Sequence, residues 1–325
     1  MGRILGGKFG SGTAPSTAKN DDVEGIYDKN DQYYMKTQDG WAPSVSISGG
    51  TEYTYTDPTG TWKSHTFAYP HPTSAPDQFV VSSCPPTAAV HFVVVAGGGA
   101  GGADGSSGGG SGGGGGGGYR VSKQAPTKPI NADVTVPSLP ISSQTYVITV
   151  GAGGAGGTNT NQVDGDDSKI ASPTADLIVA SGGGGGGYYL NIAGSPGGSG
   201  GGGAANNAGG GGTVASPDPL SPTVQGYSGY QAGGGGGGAG SSGGPSAPGG
   251  QGHSGGKGFN TWLQQGPTHA GHSCSHGGEG DRSGATSGPG YSTYGGGGSG
   301  TTGNGTSSGS GGNGVVMILY DESTW

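Results

Sequence analysis

Three imidazoles and a thiol fall together at His269-Ala270-Gly271-His272-Ser273-Cys274-Ser275-His276, with Glu279 and Asp281 behind them and His253 upstream. His269, His272, Cys274 and His276 are ligand types for zinc, iron or nickel. Their spacing fits no structural zinc pattern, and the Gly and Ser between them leave such a site poorly preorganised. A polar surface loop therefore competes with a transition-metal loop. If metal binds, several chains meeting about His272 or His276 is an arrangement as open as a single-chain site. No other cofactor is expected.

Elsewhere the chemistry is sparse. Asp164-Gly165-Asp166-Asp167 is half a calcium loop without the distal Glu, so a plain acidic turn before Leu177 is the simpler reading. Glycine runs satisfy G-x-G-x-x-G trivially, but no helical pattern follows them, and Lys257 precedes Gly258 rather than Ser or Thr. No His-Glu-x-x-His occurs and nothing places a Ser/His/Asp triad. The expectation is a protein that is not an enzyme. The remaining candidates are aromatic. Tyr227, Tyr230, Trp262, Tyr291 and Tyr294 lie between glycine tracts, where they can stack on a receptor's sugars or fill crevices. Tyr119, Tyr188 and Tyr189 abut tracts next to strands and are expected to pack. Cys84 reads as a small buried hydrophobe at a strand end. With Cys274 it makes too few thiols for a disulfide framework.

The elements that must position these residues repeat one order, a short apolar run followed by glycine. Ala89-Val90-His91-Phe92-Val93-Val94-Val95-Ala96 leads into a tract that ends in seven consecutive glycines, 112–118. Tyr146-Val147-Ile148-Thr149-Val150 leads into 151–157, and Leu177-Ile178-Val179-Ala180 into 182–187. Val315-Val316-Met317-Ile318-Leu319-Tyr320 closes the chain with glycine ahead of it. The β-branched runs read as buried strands. Ser44–Ser48, Thr51–Thr56, Trp62–Phe67 and Phe79–Val81 add strands, with turn residues at Asp57-Pro58-Thr59-Gly60.

Glycine and proline supply 85 and 21 of the 325 residues, a composition that on its own suggests low complexity. Charged residues are only 10%, however, and the apolar ones are gathered in runs, which argues for order. With 28% hydrophobic residues the core is modest, so backbone hydrogen bonding must contribute. Polyglycine can form an extended left-handed threefold helix without internal bonds. Such rods bond sideways to one another, and only glycine allows the close approach. Ordering each glycine costs on the order of 1–2 kcal/mol, so single rods are unstable and a cooperative bundle is required.

These readings predict a mainly β protein, an antiparallel sandwich with a bundle of polyglycine helices and little or no α-helix. Residues 1–43 form a polar-aromatic arm that docks on a partner through Tyr27, Tyr33, Tyr34 and Trp41. Residues 44–325 form the body, with strands mainly in 44–96, 146–150, 177–180 and 315–320 and rods in 97–118, 151–157 and 182–313. The net charge of −8 without a Lys/Arg cluster disfavours nucleic acid. No apolar leader opens the chain and no run is long enough for a membrane helix, so assembly inside a cell without membrane insertion is expected.

The strand-then-glycine units at Val93–Gly102, Tyr146–Gly157 and Leu177–Gly187, with Gly314-Val315-Val316-Met317-Ile318 at the end, closely resemble glycine-rich domain proteins of tailed bacteriophages. Tyr53-Thr54-Tyr55-Thr56-Asp57 and His65-Thr66-Phe67 match that family's stretch ahead of the core. Gly25-Ile26-Tyr27-Asp28, Asp31-Gln32-Tyr33-Tyr34 and Trp41 resemble the start of phage virion proteins, notably those of cyanophages. The same order is similar to the glycine-rich domain of a vertebrate receptor tyrosine kinase family, a tumour-necrosis-factor-like, jelly-roll sandwich with polyglycine helices. By composition the chain also resembles tail-fibre adhesins of T-even-like phages, whose exposed loops read the host surface.

The resemblance implies a structural virion protein, an outer appendage such as a tail fibre or tip. It implies a homotrimer, attached to other virion proteins through residues 1–43, with a surface glycan or outer-membrane protein of the host as partner. A capsid or tail decoration or shaft is the alternative, and a glycine-rich ice-binding or extracellular matrix protein a third.

Overall fold

The computed structural model describes residues 45–57, 60–70, 77–103, 110–122, 137–158, 163–188, 192–204, 209–210, 225–231, 234–244, 259–260, 273–280, 282–283, 294–302 and 307–321. The 1–43 arm, with Tyr27, Tyr33, Tyr34 and Trp41, lies outside them. No helix occurs among the described residues.

Two antiparallel sheets face one another. The first takes β1 (Ser46–Ser48), β4 (Asp77–Ser83), β8 (Gln144–Thr149), β9 (Ser168–Ala171) and β10 (Asp176–Ala180) in that spatial order. The second runs β2 (Thr51–Asp57), β3 (Gly60–Ala68), β15 (Val315–Asp321), β5 (Ala89–Val95), β6 (Tyr119–Val121), with β7 (Leu139–Pro140) sharing the far side of β5. Two short pairs, β11 (Phe259–Asn260) with β12 (Ser273–Cys274) and β13 (Arg282–Ser283) with β14 (Thr301–Thr302), lie in the glycine-rich part. The last strand thus sits in the middle of its sheet, with Ile318 opposite His65 on one side and Phe92 on the other.

The two sheets enclose one core: Phe67, Phe92, Val94, Val316 and Ile318 meet Phe79, Tyr146, Ile148, Ile170 and Ile178. On its other face the second sheet carries a separate cluster of Trp62, Val93, Val95, Tyr119, Val315, Met317 and Leu319, covered by Ala239, Cys274 and Tyr294 of the glycine-rich part. Alternate residues of β5 and β15 therefore enter different clusters, and apart from His91 and Asp321 both strands are apolar because both their faces are covered. Arg120 of β6 is fully buried, its Nε–H directed at Val179 O. Gly49 and Gly50 carry the chain from the first sheet to the second. Gly50 has φ 61°, and a Cβ there would press on Thr66 O and the Phe67 ring, so glycine is required at this corner.

His65, on β3, is wholly buried. Its Nδ1–H donates to Gly49 O at 2.8 Å, leaving Nε2 as acceptor toward Tyr320 Oη at 3.4 Å. Its ring stacks on Tyr320 at 5.7 Å and meets the Phe79 ring edge-on at 5.3 Å. Burial lowers its pKa, outweighing the opposing Gly49 bond and the Glu52 charge. A neutral ring in the fold and an ordinary one in the unfolded chain means stability that is present above the unfolded value of about 6.5 and lost as pH falls toward the folded one. Melting temperature is expected to drop through that window. In His65→Asn, which keeps a donor for Gly49 O, the drop should be shallower. Melts of both proteins over a pH series check this, and parallel curves would remove His65 from the explanation.

The glycine tracts form rods that begin at the ends of the strands. In the rod 96–103 the N–H partners change with a period of three. Ala96, Gly99 and Gly102 donate to Gly118, Gly115 and Gly112; Gly97 and Ala100 to Asp166 and Val163; Gly98 and Gly101 to Gly312 and Gly309. Its carbonyls accept from 151–157, 181–188 and 294–301. A threefold rod has three donor and three acceptor directions, and here all six point at neighbouring rods. The rod 112–118 is surrounded in the same way: it donates to 181–187, 234–237 and 295–298, and it accepts from 96–102, 199–202 and 275–278. Of the described glycines only Gly49, Gly50 and Gly295 have positive φ, so the rods are the left-handed, polyproline-like form. Further rods occupy 151–157, 181–188 and, in the acidic segment, 163–167. That last segment is neither a calcium loop nor a turn but a rod.

Candidate functional site

Rods leave the sheets at a common base, marked by Ala96, Gly118, Gly151, Ser181, Gly295 and Gly314. They run about 20 Å to a far end marked by Gly102, Gly112, Gly157, Gly187 and Ala204. The rod 225–230, Gln-Gly-Tyr-Ser-Gly-Tyr, lies on the outside of this bundle. Its inner face must be small: a Cβ on Gly226 would meet Ser199 Oγ, and one on Gly229 would meet Gly201 O. That leaves Tyr227 and Tyr230, one period apart, on a single outward edge.

The base of this rod is pinned by Gln225, which is fully buried. Gln225 O accepts from Tyr119 N–H at 3.2 Å, and its Oε1 accepts from Ser181 N–H at 2.7 Å. One residue thus ties the rod to the start of β6 and to the segment following β10. Along the rod Tyr227 donates to Gly238 O and accepts from Gly200, while Tyr230 donates to Gly235 O and accepts from Gly203. The backbone under both rings is consequently fixed on two sides. Tyr227 is half-buried and Tyr230 is 37% exposed, the latter at the far end of the bundle. Ser228 and Gln231 beside them are exposed. The two tyrosines stand about 9 Å apart along the rod. They form a ledge with two amphipathic rings and polar flanks.

The other candidates fall elsewhere. Tyr294 sits at the base, half-buried against the second apolar cluster, two rods away from Tyr227. Trp262 and Tyr291 lie outside the described residues. Tyr119 is fully buried at the base, where burial and the nearby Cys274 raise its pKa. Tyr188 is half-buried, and Tyr189 lies outside the described residues. Cys84 is half-buried against the sandwich core, its thiol 3.9 Å from Ile141 O.

Of the His/Cys loop, His269 and His272 lie outside the described residues. Cys274 is fully buried among apolar side chains, and His276 is half-buried with its pKa lowered by that burial. Between them Ser275 adopts φ 55° and its hydroxyl donates to Gly117 O, so this segment seals the base of the rod 112–118. Among the described residues no three His, Cys, Asp or Glu side chains gather as metal ligands.

The acidic segment has a different task. Asp164 Oδ1 accepts from Gly185 N–H at 2.7 Å, and Asp167 Oδ1 from Gly182 N–H at 2.8 Å. Donors and acceptors are both spaced by three, one rod turn. On the opposite flank Asn313, Ser310 and Ser308 serve Gly153, Gly156 and Gly157 in the same manner. Side chains thus complete the bundle where no further rod is available. These caps were legible only to a reader already assuming the threefold period.

Compared with known proteins, residues 73–321 match a family described as a glycine-rich domain; the match begins just ahead of β4 and ends with β15. No curated protein matches the chain.

Proposed function

The chain belongs to the glycine-rich domain family, and on that premise we propose that it is a non-enzymatic structural protein of a tailed-phage virion. In this reading it is an outer appendage. Residues 1–43 attach it to other virion proteins, and the ledge at Tyr227 and Tyr230 meets the host surface. The observation that carries the reading is the hydrogen-bonded bundle itself, which holds one half-buried and one exposed tyrosine on an outer rod whose backbone is bonded from both sides. Rings fixed before contact lose little entropy on binding. Tyrosine offers both an apolar face and a hydroxyl to a surface glycan or an outer-membrane protein.

A decoration or shaft protein is the second reading, favoured by the saturation of the two central rods, which makes a stiff body with no need of a ligand. Binding of labelled protein to candidate host cells, in competition with phage adsorption, separates the two. The appendage reading expects saturable binding that blocks adsorption and falls at least about tenfold in Tyr227→Ala/Tyr230→Ala, the loss of roughly 1.4 kcal/mol or more. Trp262→Ala and Tyr291→Ala test the loop aromatics alongside. A folded protein that binds no host cell which its phage infects would leave the decoration reading.

A further inference from the structure

The edges of the two sheets are not alike. β1 has three residues and a register shift between Ser46 and Ile47. β10 is interrupted between Asp176 and Ile178. β6 has three residues, all buried. Short, bulged or covered edges are how sheets avoid pairing with other chains. β2 has none of these features. Its seven residues Thr51–Asp57 pair with β3 in unbroken register from Thr51↔Thr66 to Asp57↔Gly60. It has no proline, and Thr51, Glu52, Tyr53, Thr54 and Thr56 are all exposed, Tyr53 to 47%. Among the described residues β3 is its sole strand partner.

We propose that this edge binds the β2 edge of a second copy, antiparallel about a two-fold axis at Thr54, joining the two second sheets into one. The sequence of the strand is self-complementary in that register. Thr54 lies opposite itself, Tyr53 opposite Tyr55, Glu52 opposite Thr56 and Thr51 opposite Asp57. Aromatic residues face aromatic residues and no like charges meet, which is the favourable pattern for cross-strand neighbours. Moving the axis to Tyr53 shortens the overlap, and moving it to Tyr55 leaves Thr51 and Glu52 unpaired. Glu52 is in addition held by Lys63 of its own sheet at 3.8 Å, so it brings little free charge to the edge. An isologous contact of this kind closes after two subunits, whereas a trimer requires a different surface.

Light scattering over a dilution series is expected to give twice the chain mass for the full-length protein. Thr54→Lys, which sets two ammonium groups against each other at the axis, should give the single mass and, at every concentration, melt like the parent diluted until it is monomeric. Paired residues in antiparallel strands keep Cα atoms about 4.5–5.5 Å apart, within the roughly 4.4–6.8 Å that a disulfide spans. Oxidised Thr54→Cys should therefore run as a covalent dimer. Tyr53→Cys and the parent, which carries Cys84 and Cys274, should not. A monomeric or trimeric parent, a Thr54→Lys protein that still dimerises, or equal cross-linking at positions 53 and 54 would each overturn the proposal.

Discussion

Gly114→Ala is expected to leave the chain unable to form its glycine-rich body. Gly114 lies in the rod 112–118, where every side is occupied. A Cβ added there would overlap the carbonyl of Gly99 and crowd that of Ala100. Those atoms belong to the rod 96–103, which is itself bonded on all sides, so neither rod can move without breaking a set of hydrogen bonds. Overpacking in ordinary cores costs about 1–3 kcal/mol, because side chains give way. Here the obstacle is backbone, and the cost should lie at or beyond the top of that range, a large share of the stability of a typical domain. Ala155→Ser is the matched control, since Ala155 faces outward on the rod 151–157 and is exposed. The contrast is read as soluble yield and melting temperature. A Gly114→Ala protein that melts with the parent would mean that the rods are far less tightly held than their bonds imply.

Removing both acidic caps should have the next largest effect. Asp164→Ala/Asp167→Ala leaves the N–H groups of Gly185 and Gly182 without their carboxylate acceptors at the edge of the rod 181–188. A hydrogen bond to a charged acceptor contributes about 1.5–3 kcal/mol. Both carboxylates are exposed and water can replace part of that, so a combined loss of roughly 2 kcal/mol is expected. Asp164→Asn/Asp167→Asn keeps an acceptor oxygen at each position and should recover most of the loss. Denaturant titrations of the three proteins measure it. Equal destabilisation by Asn and Ala would show that charge, not the hydrogen bond, is what matters.

Strands were plain in the sequence wherever they carried apolar runs, as at Ala89–Val95 and Val315–Tyr320, because burial on both faces leaves no polar alternation to confuse the pattern. Ser168–Ala171 was missed. Its Ser-Lys-Ile-Ala is short and mixed, and its place is set by β8 and β10 on either side. Glycine tracts announce rods but not which rods are neighbours, since a glycine is the same in every direction. The residues that do specify neighbours are the exceptions within the rods. Asp164 and Asp167 read from sequence as a plain acidic turn, because carboxylates at short spacing suggest a turn or a metal before they suggest amide acceptors for a neighbouring rod. Tyr227 and Tyr230 stand on an outer rod, whereas Tyr294, of the same type and with similar sequence surroundings, lies at the base. Only the fold separates them. Gln225 and Arg120 give no signal at all, for a polar residue beside a glycine tract looks the same in sequence whether it is buried or not.

The central position of β15 bears on the order in which the molecule can be made. β3 and β5 do not touch through strand pairing; each pairs with β15 instead, and the segment 307–314 ahead of it bonds to the rods 96–103, 151–157 and 294–300. A ribosome delivers residues 60–95 long before residues 307–321, so throughout synthesis the second sheet lacks its middle and the central rod lacks one of its six neighbours. Loops this long close slowly, and non-local pairing is rewarded only after closure. The nascent chain must wait with strand edges open, the condition under which β proteins aggregate. Its low apolar content and many glycines become, in this light, protection during the delay: a waiting chain rich in glycine, serine and threonine has little to stick with until the keystone strand arrives.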